Sequence, residues 1–167
     1  MSRKKIFSGK LVKLFISKLK LPNGKTGYFE EIIHPQASLV VPFIKNRIVF
    51  IRQYRAVIDK YIWELPAGIL EPGETPYACA KREITEETGY LVRNVKRIGK
   101  IYTSPGFCDE IIHVFKADCV SKGRSERDAD ELIRVRLVKK SEAIELFRNG
   151  KIQDAKTIAA LAFAGII

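Results

Sequence analysis

The sequence is poor in sulfur and in imidazole: three cysteines, one methionine and two histidines among 167 residues. Cys79, Cys108 and Cys119 form no Cys-x-x-Cys pair and are odd in number. That argues against a zinc knuckle and a disulfide framework, and favours a reducing cytoplasm. His34 and His113 sit in no motif and read as structural. No apolar run reaches the ~20 residues of a membrane helix. The basic start "MSRKKIFSGK" is not followed by the apolar stretch and small-residue cleavage site of a secretory leader. Acids are in deficit, 19 Asp and Glu against 30 Lys and Arg, giving a net charge of +11. Such a surplus suits an anionic ligand (nucleotide, nucleic acid or phosphate ester), or equally the Lys-rich surface of a heat-stable protein. Repeats, linkers and low-complexity tracts are missing as well. What is present, 46% hydrophobic and 29% charged residues in 19.0 kDa, is enough for one domain with a real core.

"SGKLVKLFISKLKLPNGKTGYFEEIIH" reads as two strands around a tight turn, with Asn23-Gly24 supplying positive φ angles. "ASLVVPFI" and "RIVFIRQY" are rich in β-branched and aromatic residues and read as two more strands, split by Lys45-Asn46-Arg47. "YIWELPAG" is a short strand stopped by Pro66 and Gly68. A helix over 76–88 is then announced by a capping Thr75, by Pro76 at its first position and by Gly89 at its end. Strand-like "LVRNVKRIGKIYTS", "EIIHVFKADCV" and "LIRVRLV" follow. Two helices close the chain, one starting at a Ser141 cap and one over "QDAKTIAALAFAG". Strands, helix, strands, helices is the order of a mixed α+β domain.

The helix over 76–88 is the anomaly in so basic a chain. Glu83, Glu86 and Glu87, three and four apart, share one face. Like charges at that spacing repel, and two of them lie near the helix C-terminus, where the macrodipole disfavours anions. The arrangement is poor for a helix that serves stability alone and good for Mg²⁺ or Mn²⁺, which take hard oxygen ligands. Arg82, four residues before Glu86, is placed to orient it. Ala78, Cys79 and Ile84 are expected on the face that packs against a sheet. The preceding loop, "PAGILEPGE", can bring backbone carbonyls to the same cation.

Gly68, five residues, Glu74, seven residues and then "REITEETGY" resembles the signature of the Nudix hydrolases at every charged and glycine position. Seven specified residues at roughly 7% each match by chance at on the order of one start in 10⁸, so the pattern is specific. Tyr90 departs from it, standing where the family usually has an aliphatic residue. The resemblance implies a Nudix fold: a mixed sheet sandwiched between helices, here preceded by an N-terminal antiparallel hairpin. It also implies divalent-metal-dependent hydrolysis of a phosphoanhydride. Glu83, Glu87 and the Ala67 carbonyl match the family's metal ligands; Glu86 and Arg82 stand beside them in catalytic or orienting roles, and Glu74 pairs with Arg82.

Pro105, sixteen residues beyond Gly89 in "SPGFCDE", is similar to the marker of the ADP-ribose pyrophosphatase subfamily. "RQYR", "WELPAG" and "DAKTIAAL" resemble that subfamily in order and spacing, from about Gly27 to Ala162. By that likeness Arg55 contacts the substrate phosphates, Glu64, Pro105, Gly106 and Glu110 line the substrate cavity, and Tyr28, with Phe29, stacks on adenine. The subfamily forms homodimers. The expectation is therefore a single domain over 1–167, with residues 1–35 as a hairpin at the dimer interface and 36–167 as the catalytic core. The substrate would be ADP-ribose, with no membrane or nucleic-acid partner. Another nucleotide sugar, an RNA 5′ end, or a non-catalytic ADP-ribose sensor are the alternatives. One loop departs from the subfamily. Where an acid commonly acts as general base, "SERDADELIRV" has Ala129, leaving Glu126, Asp128 or, as an auxiliary ligand, Glu131 to substitute.

Overall fold

The computed structural model describes residues 2–123 and 132–167. Glu126, Asp128, Ala129 and Glu131 lie outside the described residues. The chain divides into two compact units: residues up to Gln36 with Tyr102–Ile111, and Ala37–Ile101 with Ile112–Ile167.

The first unit is an antiparallel sheet of β1 (Ser2–Ser8), β2 (Lys13–Lys20) and β3 (Thr26–Ile33), in that order. The hairpin β2–β3 stands where the sequence places it, and the basic N-terminus adds a third strand. Glu31 on β3 ties all three together, accepting from Arg3 Nη2 at 2.6 Å and from Ser17 Oγ at 2.5 Å. The turn is looser than expected. Only Gly24 has positive φ (81°); Asn23 instead accepts the Lys25 N–H through its side chain at 3.0 Å, an Asx turn. The segment 102–111 docks on β3, with the Ile32 N–H donating to the Phe107 carbonyl (2.7 Å) and the Asp109 N–H to the Ile32 carbonyl (3.2 Å).

The second unit is a mixed sheet of β4 (Ala37–Ile44), β5 (Arg47–Arg55), β6 (Lys60–Glu64), β7 (Ala67–Ile69), β8 (Tyr90–Tyr102), β9 (Ile111–Lys122) and β10 (Ile133–Lys139). The central order is β10-β5-β4-β9-β8, with β6 on β5 and β7 on β4; β4 and β9 are parallel. Residues of β4 alternate between two apolar layers. Leu39 and Val41 pack with Ala143, from α2 (Lys140–Arg148), and with Ala160 and Leu161, from α3 (Ala155–Phe163). Val40 packs on the other side with Ala80 and Ile84, from α1 (Pro76–Thr88). The expected sandwich of helices around a mixed sheet is thus built on a strand apolar on both faces.

One edge of β4 changes partner along its length. Phe43 and Ile44 pair with β5, whereas Ala37, Ser38 and Leu39 pair with β7. Pro42 stands between the two pairings and has no N–H to give. The Val40 N–H donates to the Pro66 carbonyl at 2.9 Å. β5 and β6 therefore diverge from β4, and the returning segment 65–69 is laid beside β4 next to α1.

Helix α1 has the bounds its sequence announces. Thr75 accepts the Ala78 N–H, Pro76 opens the helix, and Gly89 closes it at φ 75°. Its packed face differs from expectation: Cys79, Ala80 and Ile84 are buried, while Ala78 is exposed. The register that buries Ile84 also buries Ala80, four residues earlier. The Ser141 cap is likewise corrected. β10 runs straight into α2 at Lys140, with no loop to present a cap, so Ser141 lies inside the first turn.

Candidate metal and phosphate site

The side chains of α1 that face the returning segment include two carboxylates, Glu83 and Glu87. Glu83 and Glu87 are buried, 8% and 2% exposed, although a glutamate in that position must be neutralised or ligated. The Ala67 N–H donates to Glu87 Oε2 at 3.2 Å. Gly68 supplies the room for Glu83: a Cβ there would stand 1.9 Å from Glu83 Oε1. The glycine is thus required by close approach and not by its turn.

Arg82 fans across the other acids. Its Nε and Nη2 meet Glu74 Oε1 and Oε2, both at 2.9 Å; Nη1 reaches Glu83 Oε1 at 2.7 Å and Glu86 Oε2 at 2.9 Å; Nη2 also donates to the Ile69 carbonyl at 3.0 Å. Hydrogen bonding to Glu74, with the charges of the other two, raises the Arg82 pKa further, and the Glu74 carboxyl is held below its ordinary value chiefly by Arg82. Burial, first, and the Glu83 charge push the Cys79 thiol up to about 11, so it stays neutral beside them.

The donor set suits a hard divalent cation. Three carboxylates, Glu74, Glu83 and Glu86, crowd one guanidinium, and a fourth, Glu87, lies against the Ala67 backbone. Among the described residues no three His, Cys, Asp or Glu side chains converge closely enough to enclose an ion. A cation here needs backbone oxygen, water or ligand to complete its shell, as Mg²⁺ usually does.

A second charged cluster lies on β5, β6 and α3. Arg55 meets Glu64 fork to fork, Nε to Oε1 and Nη2 to Oε2, each 2.6 Å. Lys156 Nζ also binds Glu64 Oε2, and Asp154 Oδ1 accepts from Lys156 at 2.9 Å. Asp154 caps α3 through the Thr157 N–H, and Thr157 Oγ1 accepts the Leu65 N–H at 2.9 Å. The start of α3 thereby fixes the segment leading to Ala67. Glu64 is 1% exposed. Burial is the strongest influence and opposes its ionisation, yet Arg55 and Lys156 together hold its pKa below the ordinary value. The charge of Glu87 also acts on Arg55. Lys156 is the residue that sequence reading missed; "DAKTIAAL" carried it without marking its role.

Pro105, Gly106, Tyr28 and Glu110 belong to the first unit. Pro105, Gly106 and Phe107 line a pocket of about 300 Å³ with Leu19, Phe29 and Tyr102. Tyr28 is 71% exposed, with Lys18 Nζ 5.8 Å from its ring centre. Glu110 pairs with His34 Nδ1 at 3.3 Å. Glu131 lies outside the described residues.

The NUDIX domain family matches residues 33–161. The chain belongs to the Nudix family. An ADP-ribose pyrophosphatase of Bacillus subtilis is 39% identical over 165 residues, 97% of this Nudix chain and 89% of the relative. A methanol dehydrogenase activator of Bacillus methanolicus is 40% identical over 161 residues, covering 95% and 87%. A GDP-mannose pyrophosphatase of Cronobacter sakazakii is 38% identical over 126 residues, covering 70% and 65%. The fold of this Nudix protein also matches the crystal structure of an ADP compounds hydrolase, with a TM-score of 0.87 over 99% of this chain and 90% of the other, at 20% identity.

Proposed function

We propose that this chain hydrolyses the pyrophosphate bond of ADP-ribose, giving AMP and ribose 5-phosphate, with Mg²⁺ or Mn²⁺ as cofactor. The observation that carries the reading is the burial of Glu83 and Glu87 against Gly68 and Ala67, with Arg82 drawing Glu74, Glu83 and Glu86 into one cluster. The near full-length likeness to the Bacillus subtilis enzyme supports ADP-ribose as the substrate.

Glu83, Glu87 and the Ala67 carbonyl would hold the cation, which when bound neutralises phosphate charge and acidifies water. Arg82 fixes the rotamers of Glu83 and Glu86, so that these acids need no reorganisation when the substrate arrives. Arg55, already oriented by Glu64, keeps further N–H donors for phosphate oxygens. Glu86 stands at the rim of the cluster, 38% exposed, where it can take a proton from water. In the same reading Pro105, Gly106, Glu110 and Tyr28 serve the remainder of the substrate, Glu131 is an auxiliary ligand, and the chain works as a cytoplasmic homodimer through residues 1–35.

Glu87→Gln tests the site. It removes one charge at constant size, and Gln can still accept the Ala67 N–H. Turnover at saturating Mg²⁺ should fall by on the order of 10²-fold or more with the melting temperature nearly kept. A near-native rate would reduce the acidic face to a structural feature.

A further inference from the structure

At the far end of β4 the second unit carries a different electrostatic feature. A cleft of about 480 Å³ is lined by Lys45, Lys96, Lys116 and Lys140. These lysines come from four elements: the β4–β5 turn, β8, β9 and the start of α2. Four ammonium groups brought together by tertiary structure repel one another, so the fold gains nothing from the arrangement by itself. Among the described residues the one acid lining the cleft, Asp118, accepts from Asn94 Nδ2 at 2.9 Å. Lys45 also borders an adjoining cleft with Arg47 and Lys139, which extends the basic field.

Part of the lining is not charged. Phe43, Ala117 and Ala164 contribute to it, and Lys140 Nζ lies 5.3 Å from the Phe43 ring centre. A lining of four lysines with an aromatic ring among them, in a volume typical of small-ligand sites, suits a compact polyanion with or without an attached ring. The cleft is separate from the acidic cluster. Ala67 pairs with Leu39, whereas the cleft begins at Phe43, roughly 13 Å further along β4 at 3.3 Å per residue.

We propose that this cleft is a second ligand site, which binds compounds carrying two or more adjacent phosphates. The recognised chemistry is the clustered phosphate charge; its source is either a nucleoside polyphosphate or inorganic polyphosphate.

The test is calorimetric titration of the whole chain with tripolyphosphate and with ATP, in EDTA so that no metal-dependent binding contributes. Saturable binding that weakens as salt is raised is expected, with about a tenfold or greater loss in the double variant Lys96→Gln, Lys116→Gln. Both side chains are exposed, and metal-dependent hydrolysis and melting temperature should be unchanged in the variant. Equal binding of the two probes assigns recognition to the phosphates alone; preference for ATP assigns a share to Phe43. Absence of saturable binding by either probe, or affinity undiminished in the double variant, overturns the proposal.

Discussion

Arg82 and Glu74 meet through two parallel hydrogen bonds of equal length, 2.9 Å, while the same guanidinium reaches Glu83 and Glu86. A planar fork can serve three carboxylates at once; an ammonium on a flexible stem cannot. Arg82→Lys should therefore keep the charge and lose the geometry. Activity, or affinity for Mg²⁺, should fall about 10–100-fold, the range for residues that orient metal ligands. Mg²⁺ titrations of the rate read this directly, and an unchanged half-saturation with unchanged turnover would count against an orienting role.

Gly68→Ala isolates the close approach of β7 to α1. The added methyl would stand 1.9 Å from Glu83 Oε1, so either the carboxylate or the strand must move. A cost of about 1–3 kcal/mol in stability is expected, as for overpacking, together with a larger loss of activity than the stability change explains. Thermal melts beside Mg²⁺-dependent rates separate the two effects. Normal activity would show that Glu83 has room to spare.

The Arg55–Glu64 pair gives a pH dependence. Glu64 has its folded pKa lowered, so its contribution to stability is fully present above the ordinary carboxylate value of 4.5 and is lost as pH falls through the folded value. Glu64→Gln removes that counter-charge, but Arg55 is partly exposed and Lys156 keeps Asp154, so the cost should be about 1–2 kcal/mol at neutral pH. The difference from wild type should persist down to about pH 4.5 and narrow below it. Urea melts across this range check it; a difference independent of pH would mean that the carboxylate charge is not what stabilises.

Helix α1 was legible in the sequence to its ends because Thr75, Pro76 and Gly89 act within one turn of themselves. The acidic face was legible for the same reason, since three and four residues of helix fix which side chains meet. β1 was not. "SRKKIFS" is exposed along its whole length and shows no alternation, so only its pairing with β2 makes it a strand. Lys156 was equally hidden: its partner Glu64 lies 92 residues away, so the half-burial that sets it apart from exposed helix lysines comes from tertiary structure. The pair Tyr28 and Phe29 shows a finer limit. Alternation along β3 places one of them in the pocket with Pro105 and leaves the other 71% exposed, and sequence does not say which.

Substrate and metal are tested together by a single substrate screen at fixed Mg²⁺, with released phosphomonoester as readout. ADP-ribose, GDP-mannose and dATP are compared at equal concentration, with and without EDTA. ADP-ribose should be cleaved to AMP and ribose 5-phosphate well above the other two, and EDTA should abolish the reaction. Comparable or faster turnover of dATP or GDP-mannose, or hydrolysis that survives EDTA, would contradict the proposed function.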